Sequence, residues 1–273
     1  MLLCQLTAPA QSLTPADLKP IVFEQKLNSA VRLSLPFRDE AGRPVALSNY
    51  FGAKPVILVL GYYGCPMLCT LTLNGMIESL QDMKWSIGRE FEVVSVSIDP
   101  QEHSTLAAAK KKTYLKRYGR NGGDAGWHFL TGDKAAIAEL ADAVGFRYAY
   151  DPVVRQYAHP AGLVILTPQG RVSKYLFGVK FAPQEILAGL KGASQNSIGS
   201  RIQQLVLLCF HYSPIQGKYG PAIMTTLRVL GAATLVGLVW LWVRLVRARP
   251  TETPAGFNPP QRIDAQKQLT PRP

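Results

Sequence analysis

Runs of apolar residues, separated by polar turns and by segments with helical spacing, predict a domain in which strands and helices alternate. Pro55–Tyr62 and Phe91–Ile98 are short, nearly continuous apolar runs, typical of strands buried on both faces. Between them, apolar residues recur every three or four positions from Leu71 to Met83, which predicts a helix. The same patterns predict helices at 103–118, at 133–144 and from Pro183, a strand at 127–130, and hairpins within 31–47 and 162–177. We therefore expect an α/β fold with an N-terminal hairpin and a central sheet covered by helices.

The pattern changes after Gly192. A polar linker precedes Ala222–Val243, a stretch of 22 residues that carries a single charge, Arg228. At about 1.5 Å per residue such a helix covers about 33 Å, enough for a hydrocarbon core of about 30 Å. Trp240 and Trp242 lie at one end of this stretch, where interfacial aromatic residues belong. The sequence therefore predicts one C-terminal transmembrane helix.

These patterns divide the chain into five predicted segments. The first twelve residues, MLLCQLTAPAQS, have a small-residue stretch like a signal-peptide cleavage region but no basic start, so a disordered leader is the alternative. The predicted segments are a residual signal or leader at 1–17, the α/β domain at 18–192, a linker and juxtamembrane helix at 193–221, the transmembrane helix at 222–246, and a disordered cytoplasmic tail at 247–273.

The distribution of basic residues predicts the orientation. Arg244, Arg247, Arg249 and Arg262 follow the apolar stretch, whereas Lys218 precedes it. Because positively charged flanks stay on the cytoplasmic side, we expect a single-pass protein of a bacterial inner membrane with its C-terminus in the cytoplasm. The N-terminal domain then lies in the periplasm, an oxidising compartment.

Composition and charge exclude several classes of function. The chain has 30 Lys and Arg against 18 Asp and Glu, a net charge of +12, and 47% of its residues are hydrophobic, which excludes wholesale disorder. Neither a P-loop nor a G-x-G-x-x-G after a strand is present, so nucleotide-driven chemistry has no support. Because the domain is expected in the periplasm and tethered to the membrane, its positive charge does not indicate a nucleic acid as partner.

Two cysteines carry the chemistry. The four cysteines, Cys4, Cys65, Cys69 and Cys209, are too few and too unevenly spaced for a disulfide scaffold or a two-knuckle zinc module. Cys65 and Cys69 are four apart at a strand-to-helix junction, so both side chains lie on one face if the helix begins there. Because a helix N-terminus favours thiolate over thiol, the pair suits either disulfide exchange or metal binding.

A third ligand would decide between these two uses. Soft sulfur ligands favour Cu(I), and an added imidazole would give a three-coordinate site also able to hold Cu(II). A structural zinc would need a fourth protein ligand, and none is apparent in the sequence. His159 is the candidate, since it precedes the predicted strand at 162–166, and in a thioredoxin-type sheet the loop entering that strand faces the helix with the cysteines.

Five segments together resemble the Sco/SenC family of thioredoxin-fold, copper-binding assembly factors for cytochrome c oxidase, and the resemblance runs from about Leu18 to beyond Tyr219. They are GYYGCPMLCTLTLNGMIESL, VVSVSIDPQE, KKKTYLKRYGR, GWHFLTG and YAHPAGLVILTPQGRVSKYLFG. The resemblance implies a thioredoxin-like sheet, with Cys65, Cys69 and His159 as copper ligands. The C-terminal membrane helix is similar to that of a bacterial subgroup of the family.

The resemblance also implies a function. It implies a copper chaperone that delivers Cu(I) or Cu(II) to the dinuclear copper site of cytochrome c oxidase. Its partners would be the copper-site subunit of the oxidase, a periplasmic thiol reductant or copper donor, and the membrane. The alternative is a thiol:disulfide oxidoreductase, with Cys65 as nucleophile and Cys69 as resolving thiol. A purely structural tethered domain is a third hypothesis.

One position departs from the family pattern. Many members have Asp immediately before the ligand histidine, where this chain has Ala158, so the role of that carboxylate is absent or has moved to Asp151. The remaining candidates have structural interpretations: Asp99 ends a strand, Met67, His103 and His128 pack or lie on the surface, Lys110–Lys112 form a solvated helix face, and Cys209 and His211 point to different sides of a helix.

Overall fold

The computed structural model of the protein describes residues 13–18, 21–65, 68–200 and 220–247. The side chains of residues 15, 16, 68, 69, 220–227 and 246 lie outside this description. The chain divides into two compact units, Met1–His211 and Tyr212–Pro273.

In its described residues the first unit contains nine strands and six α-helices. The strands are β1 (Pro36–Arg38), β2 (Pro44–Ala46), β3 (Val56–Gly61), β4 (Glu92–Ser97), β5 (Trp127–Leu130), β6 (Ala149–Asp151), β7 (Gln156–Ala158), β8 (Gly162–Leu166) and β9 (Val172–Phe177). The helices are α1 (Pro15–Leu18), α2 (Leu68–Gln81), α3 (Ser104–Tyr118), α4 (Gly123–Gly126), α5 (Lys134–Ala143) and α6 (Pro183–Ser194), with a 3₁₀ turn at Leu47–Tyr50.

A five-stranded mixed sheet has the order β5-β4-β3-β8-β9. Strands β3, β4 and β5 are parallel, whereas β8 is antiparallel to both β3 and β9. Leu58 pairs with Val164 in an antiparallel register, so β8 begins beside the C-terminal end of β3. This register brings the segment before β8 close to the loop after β3.

Both faces of the sheet are covered, which explains the continuous apolar runs. Along β3, alternate side chains belong to two different buried clusters. Val56 and Leu58 pack with residues of α5 and the β1–β2 hairpin, and Ile57 and Val59 pack with residues of α2, α3 and α6. The predicted central sheet with flanking helices is confirmed.

The hairpin predicted within 31–47 is present, but its first strand begins at Pro36 and leaves out Val31, Leu33 and Leu35, which alternate with polar residues in the sequence. Strands β1 and β2 pair from Pro36↔Ala46 to Arg38↔Pro44. The carboxylate of Asp39 accepts the amide hydrogens of Ala41 and Arg43, both at 2.9 Å, which fixes the turn and the strands beside it. Val31 and Leu35 are instead buried core residues outside the named strands.

Five short elements of the described residues were not predicted from the sequence, and the first is α1, which begins in the segment predicted as a leader. Strands β6 and β7 form an antiparallel hairpin between α5 and β8. Helix α4 occupies part of the segment predicted as a loop after α3, and the 3₁₀ turn follows β2. Each spans only three or four residues, too few for a hydrophobic period to show.

The second unit contains helix α7, Gly220–Arg247, so the apolar C-terminal stretch is helical as expected, while its passage through a membrane stays a prediction. Its segment Arg228–Leu245 has a mean hydropathy of 1.5 and side chains that are not buried. By length and composition this segment is a candidate membrane span. The guanidinium of Arg244 lies 4.8 Å from the ring centroid of Trp240. Residues 1–12 of the predicted leader, residues 201–219 of the predicted linker and juxtamembrane helix, which include Cys209 and His211, and the predicted tail beyond Arg247 lie outside the described residues.

Candidate functional site

Cys65 lies in the loop between β3 and α2. Its side chain is buried, with 4% exposed, in the cluster that also contains Tyr62. The amide of Cys65 donates a hydrogen bond to the carbonyl oxygen of Tyr62 at 3.2 Å, which closes a tight turn at 62–65. The sequence correctly predicts that this cysteine follows a buried strand and precedes a helix.

Cys69 is the second residue of α2, so its backbone lies at the helix N-terminus, as predicted. The side chain of Cys69, and Pro66 and Met67 before it, lie outside the described residues. The predicted convergence of the two thiols therefore stays a prediction.

His159 lies between β7 and β8, and its ring is buried, with 2% of the residue exposed. The ring Nδ1 is 3.0 Å from the carbonyl oxygen of Pro160. Because a carbonyl only accepts hydrogen bonds, this contact assigns the proton to Nδ1 and the lone pair to Nε2. That tautomer is the one a neutral imidazole needs to bind a metal through Nε2.

Tyr62 connects the cysteine loop to His159. Its ring centroid lies 5.9 Å from that of His159, with the ring planes at 81°, and its carbonyl accepts the amide hydrogen of Cys65. The centroid of the His159 ring also lies 5.7 Å from that of the Phe146 ring. A cavity joins this region to the first turn of α2, and its lining includes Tyr62, Thr70, Lys110, Tyr114, His159 and Pro160. The structure thus brings His159 and the cysteine loop to one place.

Metal ligation itself is not decided by these contacts. Among the side chains that the structure describes, no group of three or more His, Cys, Asp and Glu residues is arranged to hold a metal ion. That set includes Cys65 and His159 but leaves out the Cys69 side chain. The three-ligand site remains a prediction from the sequence.

Glu102 is a residue of this region to which sequence reasoning assigned no role. Its Oε2 accepts the amide hydrogen of Tyr63 at 2.8 Å, and its Oε1 accepts that of Gly64 at 2.5 Å. The hydroxyl of Ser97 donates to Oε2 at 2.6 Å. Burial raises the pKa of Glu102, and these three hydrogen bonds offset the effect only in part. Its only signal in the sequence is its place in the SIDPQE segment.

The two aspartates singled out from the sequence organise turns. Asp99 follows β4, and its Oδ1 accepts the amide hydrogen of Gln101 at 2.9 Å, in line with the predicted strand end. Asp151 is fully buried, and its carboxylate accepts the amide hydrogens of Leu13 and Val153, both at 2.9 Å. These bonds give Asp151 a structural role in the β6–β7 hairpin.

The other histidines and the lysine run lie elsewhere. His103 is the exposed N-terminal flanking residue of α3, and His128 packs on Tyr50 with ring centroids 4.2 Å apart. Both agree with the predicted packing or surface roles. Lys111 departs from the predicted solvated face, because it is largely buried and pairs with Glu40.

A family model described as SCO1/SenC matches residues 25–195, more than half of the 273-residue chain. No curated protein matches the sequence. A solved structure from Aquifex aeolicus VF5, described as a candidate electron transfer protein, is 24% identical, with 62% of this chain and 95% of that chain covered and a TM-score of 0.54.

Two further solved structures are similar. A SCO1/SenC family lipoprotein from Bacillus anthracis is 17% identical, covering 63% of this chain and 99% of that one, with a TM-score of 0.50. Bradyrhizobium japonicum ScoI, solved with copper bound, is 25% identical, covering 59% and 98%, with a TM-score of 0.47. The likeness to the Aquifex structure and to the lipoprotein shows that the first unit has the thioredoxin-like fold that the sequence predicts.

Proposed function

Since this chain belongs to the SCO1/SenC family, we propose that it is a copper chaperone which serves the assembly of cytochrome c oxidase. The observation that carries the proposal is the placement of His159 beside the Cys65 loop, with Tyr62 in contact with both. The copper ion is the cargo, held by Cys65, Cys69 and His159. Bradyrhizobium japonicum ScoI with copper bound illustrates the state that we propose for this chain.

The donor set fits transient copper binding. Two thiolates and one imidazole are soft and borderline ligands that suit Cu(I) and also hold Cu(II). The Nδ1 contact of His159 with Pro160 orients the ring, so that Nε2 is the nitrogen for the metal. Three protein ligands leave the ion under-coordinated, and a ligand from the copper-site subunit of the oxidase can then enter before a chaperone ligand leaves.

The rival function, a thiol:disulfide oxidoreductase, uses the same cysteines without His159. A nucleophilic cysteine needs to be accessible to its substrate, whereas Cys65 is 4% exposed. Copper transfer by ligand exchange and reduction of a Cys65–Cys69 disulfide need access to the same sulfur, so burial of Cys65 does not separate the two functions, whereas the requirement for His159 does.

The substitution His159→Ala separates the two functions. In the full chain purified in detergent, we expect this variant to lose copper transfer to the copper-binding domain of the oxidase subunit. Its exchange with a small-molecule disulfide should stay within about twofold of wild type. If exchange collapses while copper transfer survives, the oxidoreductase is the better assignment. If both survive, His159 is not a ligand and the copper site is wrong.

A chaperone in an oxidising compartment requires a reductant. If Cys65 and Cys69 form a disulfide, neither sulfur is a thiolate and the copper ligands are lost. A dithiol partner restores them by thiol–disulfide exchange, in which the two electrons and two protons of the partner reduce the bond and the partner becomes the disulfide. The partner is accordingly a periplasmic thiol reductant.

Helix α7 supplies the proposed membrane anchor. Basic residues follow its apolar stretch, Arg244 and Arg247 on the helix and Arg249 beyond it, and they support a C-terminus in the cytoplasm and a first unit in the periplasm. A reporter enzyme that works only in the cytoplasm should be active when it is fused after Pro273, and one that works only in the periplasm should be inactive. Protease added to spheroplasts should digest the first unit, and protection of that unit until lysis would contradict the orientation.

A further inference from the structure

The Tyr62–Cys65 turn is hydrogen-bonded to the carboxylate of Glu102, a residue that lies outside the turn. Tyr63 and Gly64, the two residues before the cysteine, donate their amide hydrogens to the two oxygens of Glu102, at 2.8 and 2.5 Å. These amides belong to a loop and have no partner strand to bond. Glu102 therefore replaces the hydrogen bonding that a sheet would supply to this segment.

Glu102 is itself fixed by the end of β4. The hydroxyl of Ser97, a fully buried residue, donates to Oε2 at 2.6 Å, and the amide of Glu102 donates to the carbonyl of Asp99 at 3.1 Å. The carboxylate is thus held in one orientation by neighbouring parts of the chain. Hydrogen bonds to a charged acceptor are about twice as strong as neutral ones, so the loop is pinned firmly.

Gly64 makes room for this carboxylate. A Cβ built at Gly64 would lie 3.2 Å from Oε1 of Glu102, tighter than ordinary contacts. On the other side of the turn, the Tyr63 hydroxyl is buried within 2.8 Å of the Leu130 carbonyl oxygen, so the side chain of Tyr63 is anchored as well. The backbone of the turn is then held by Glu102 on one side and by the core on the other.

We propose that Glu102 is a positioning residue that holds the Tyr62–Cys65 turn in the geometry that keeps the Cys65 thiol buried beside His159. The proposal rests on the proposed function for its consequence, copper retention, but not for the geometry of the turn. Glu102 bonds the turn through the amides of Tyr63 and Gly64, so it acts on Cys65 through the backbone.

The variant Glu102→Gln tests this role at nearly constant size. A glutamine has one carbonyl oxygen and therefore accepts only one of the two amide hydrogens, while its NH₂ group faces the other. The matched control is Glu90→Gln, because the Glu90 carboxylate also accepts a backbone amide hydrogen, that of Ser86 at 2.8 Å, away from the cysteine loop.

The first readout is the rate at which N-ethylmaleimide alkylates Cys65 in the reduced, copper-free full chain in detergent, resolved from Cys69 by peptide mass spectrometry. Loss of one hydrogen bond to a charged group should increase opening of the turn, and alkylation of Cys65, by about tenfold. Glu90→Gln should react at the wild-type rate. The second readout is Cu(I) affinity, which should fall by a similar factor in Glu102→Gln alone.

The outcomes separate this inference from the proposed function. If the wild-type chain binds no copper, the chaperone proposal fails, while the alkylation rates still decide the role of Glu102. The inference is overturned if Cys65 is alkylated in Glu102→Gln at the wild-type rate. It is also overturned if the alkylation rate rises by the same factor in Glu90→Gln as in Glu102→Gln. If Glu102→Gln does not fold, Ser97→Ala removes one support of the carboxylate, and a smaller acceleration of at least twofold is then required.

Discussion

The ring of Tyr62 lies edge-to-face with the ring of His159, with centroids 5.9 Å apart, while the carbonyl oxygen of Tyr62 accepts the amide hydrogen of Cys65 at 3.2 Å. One residue therefore contacts two of the three proposed ligands, one through its side chain and the other through its backbone. The arrangement follows from the sheet, because β3 ends where the chain enters β8.

Replacement of Tyr62 by leucine should weaken copper binding without removing a ligand. Leucine keeps the site apolar but loses the aromatic contact with His159, a contact of about 0.5–1.5 kcal/mol. We expect Cu(I) affinity, measured by competition with a chromophoric chelator, to fall about three- to tenfold. Tyr150→Leu is the control, since Tyr150 is 46% exposed and its ring contact is with Tyr157. Equal affinities for Tyr62→Leu and wild type would show that the ring does not position His159.

Gly75 allows α2 to pack closely against the chain before α6. A Cβ at Gly75 would lie 1.9 Å from the carbonyl oxygen of Val179, so Gly75→Ala forces the helix away from the backbone. We expect the free energy of unfolding in urea to fall by about 3 kcal/mol, and copper affinity to fall as well because Cys69 lies on this helix.

Gly192→Ala in α6 is the matched control for that substitution. Its Cβ would meet only the Ser197 side chain at 3.8 Å, an ordinary contact. Since alanine is the better helix former, the free energy of unfolding should rise by about 0.5–1 kcal/mol. A Gly75→Ala protein as stable as wild type would contradict the close packing of α2.

Glu92 should contribute stability that is lost in acid. Its carboxylate lies 2.8 Å from Nζ of Lys54 and 3.4 Å from Nε2 of His128. Burial raises the pKa of Glu92, but the contact with His128 and the hydrogen bond from Lys54 outweigh burial, and the net pKa lies below its ordinary value of 4.5. The unfolded chain then binds more protons, so stability is present above about pH 4.5 and falls as the pH drops towards the folded-state pKa.

The pH dependence of the urea unfolding free energy, measured on wild type and two variants, tests this contribution. Both Glu92→Gln and Lys54→Met should reduce the loss of stability between about pH 5 and pH 3. A slope in that range that is the same in all three proteins would mean that Glu92 does not carry the acid sensitivity.

The sequence predicts the sheet better than the hairpins. Continuous apolar runs identify β3 and β4 because both faces of the sheet are covered. The first hairpin lies within the predicted range, but its first strand begins later than the alternation of Val31, Leu33 and Leu35 indicates, since the turn bonds of Asp39 decide which residues pair. The β6–β7 hairpin escapes notice because Tyr150 and Val153 are exposed and leave no alternating pattern.

The sequence also predicts some residues of the candidate site and misses others. Cys65 and His159 are recognisable because their residue types carry the chemistry, and the register of β3 with β8 confirms that their segments meet. Glu102 leaves no comparable pattern, because its partners in the cysteine loop are backbone amides, which every residue except proline has. Only the fold shows which amides it reaches.

The most direct measurement is the Cu(I) stoichiometry of the reduced full chain in detergent, determined by chelator competition for wild type, Cys65→Ser, Cys69→Ser and His159→Ala. Cys209→Ser serves as the control, because it removes a thiol that is not among the proposed ligands. We expect one tightly bound Cu(I) per chain in wild type and in the control, and loss of tight binding in each of the three ligand variants. An unchanged stoichiometry in Cys65→Ser or Cys69→Ser would contradict the assignment of this protein as a copper chaperone.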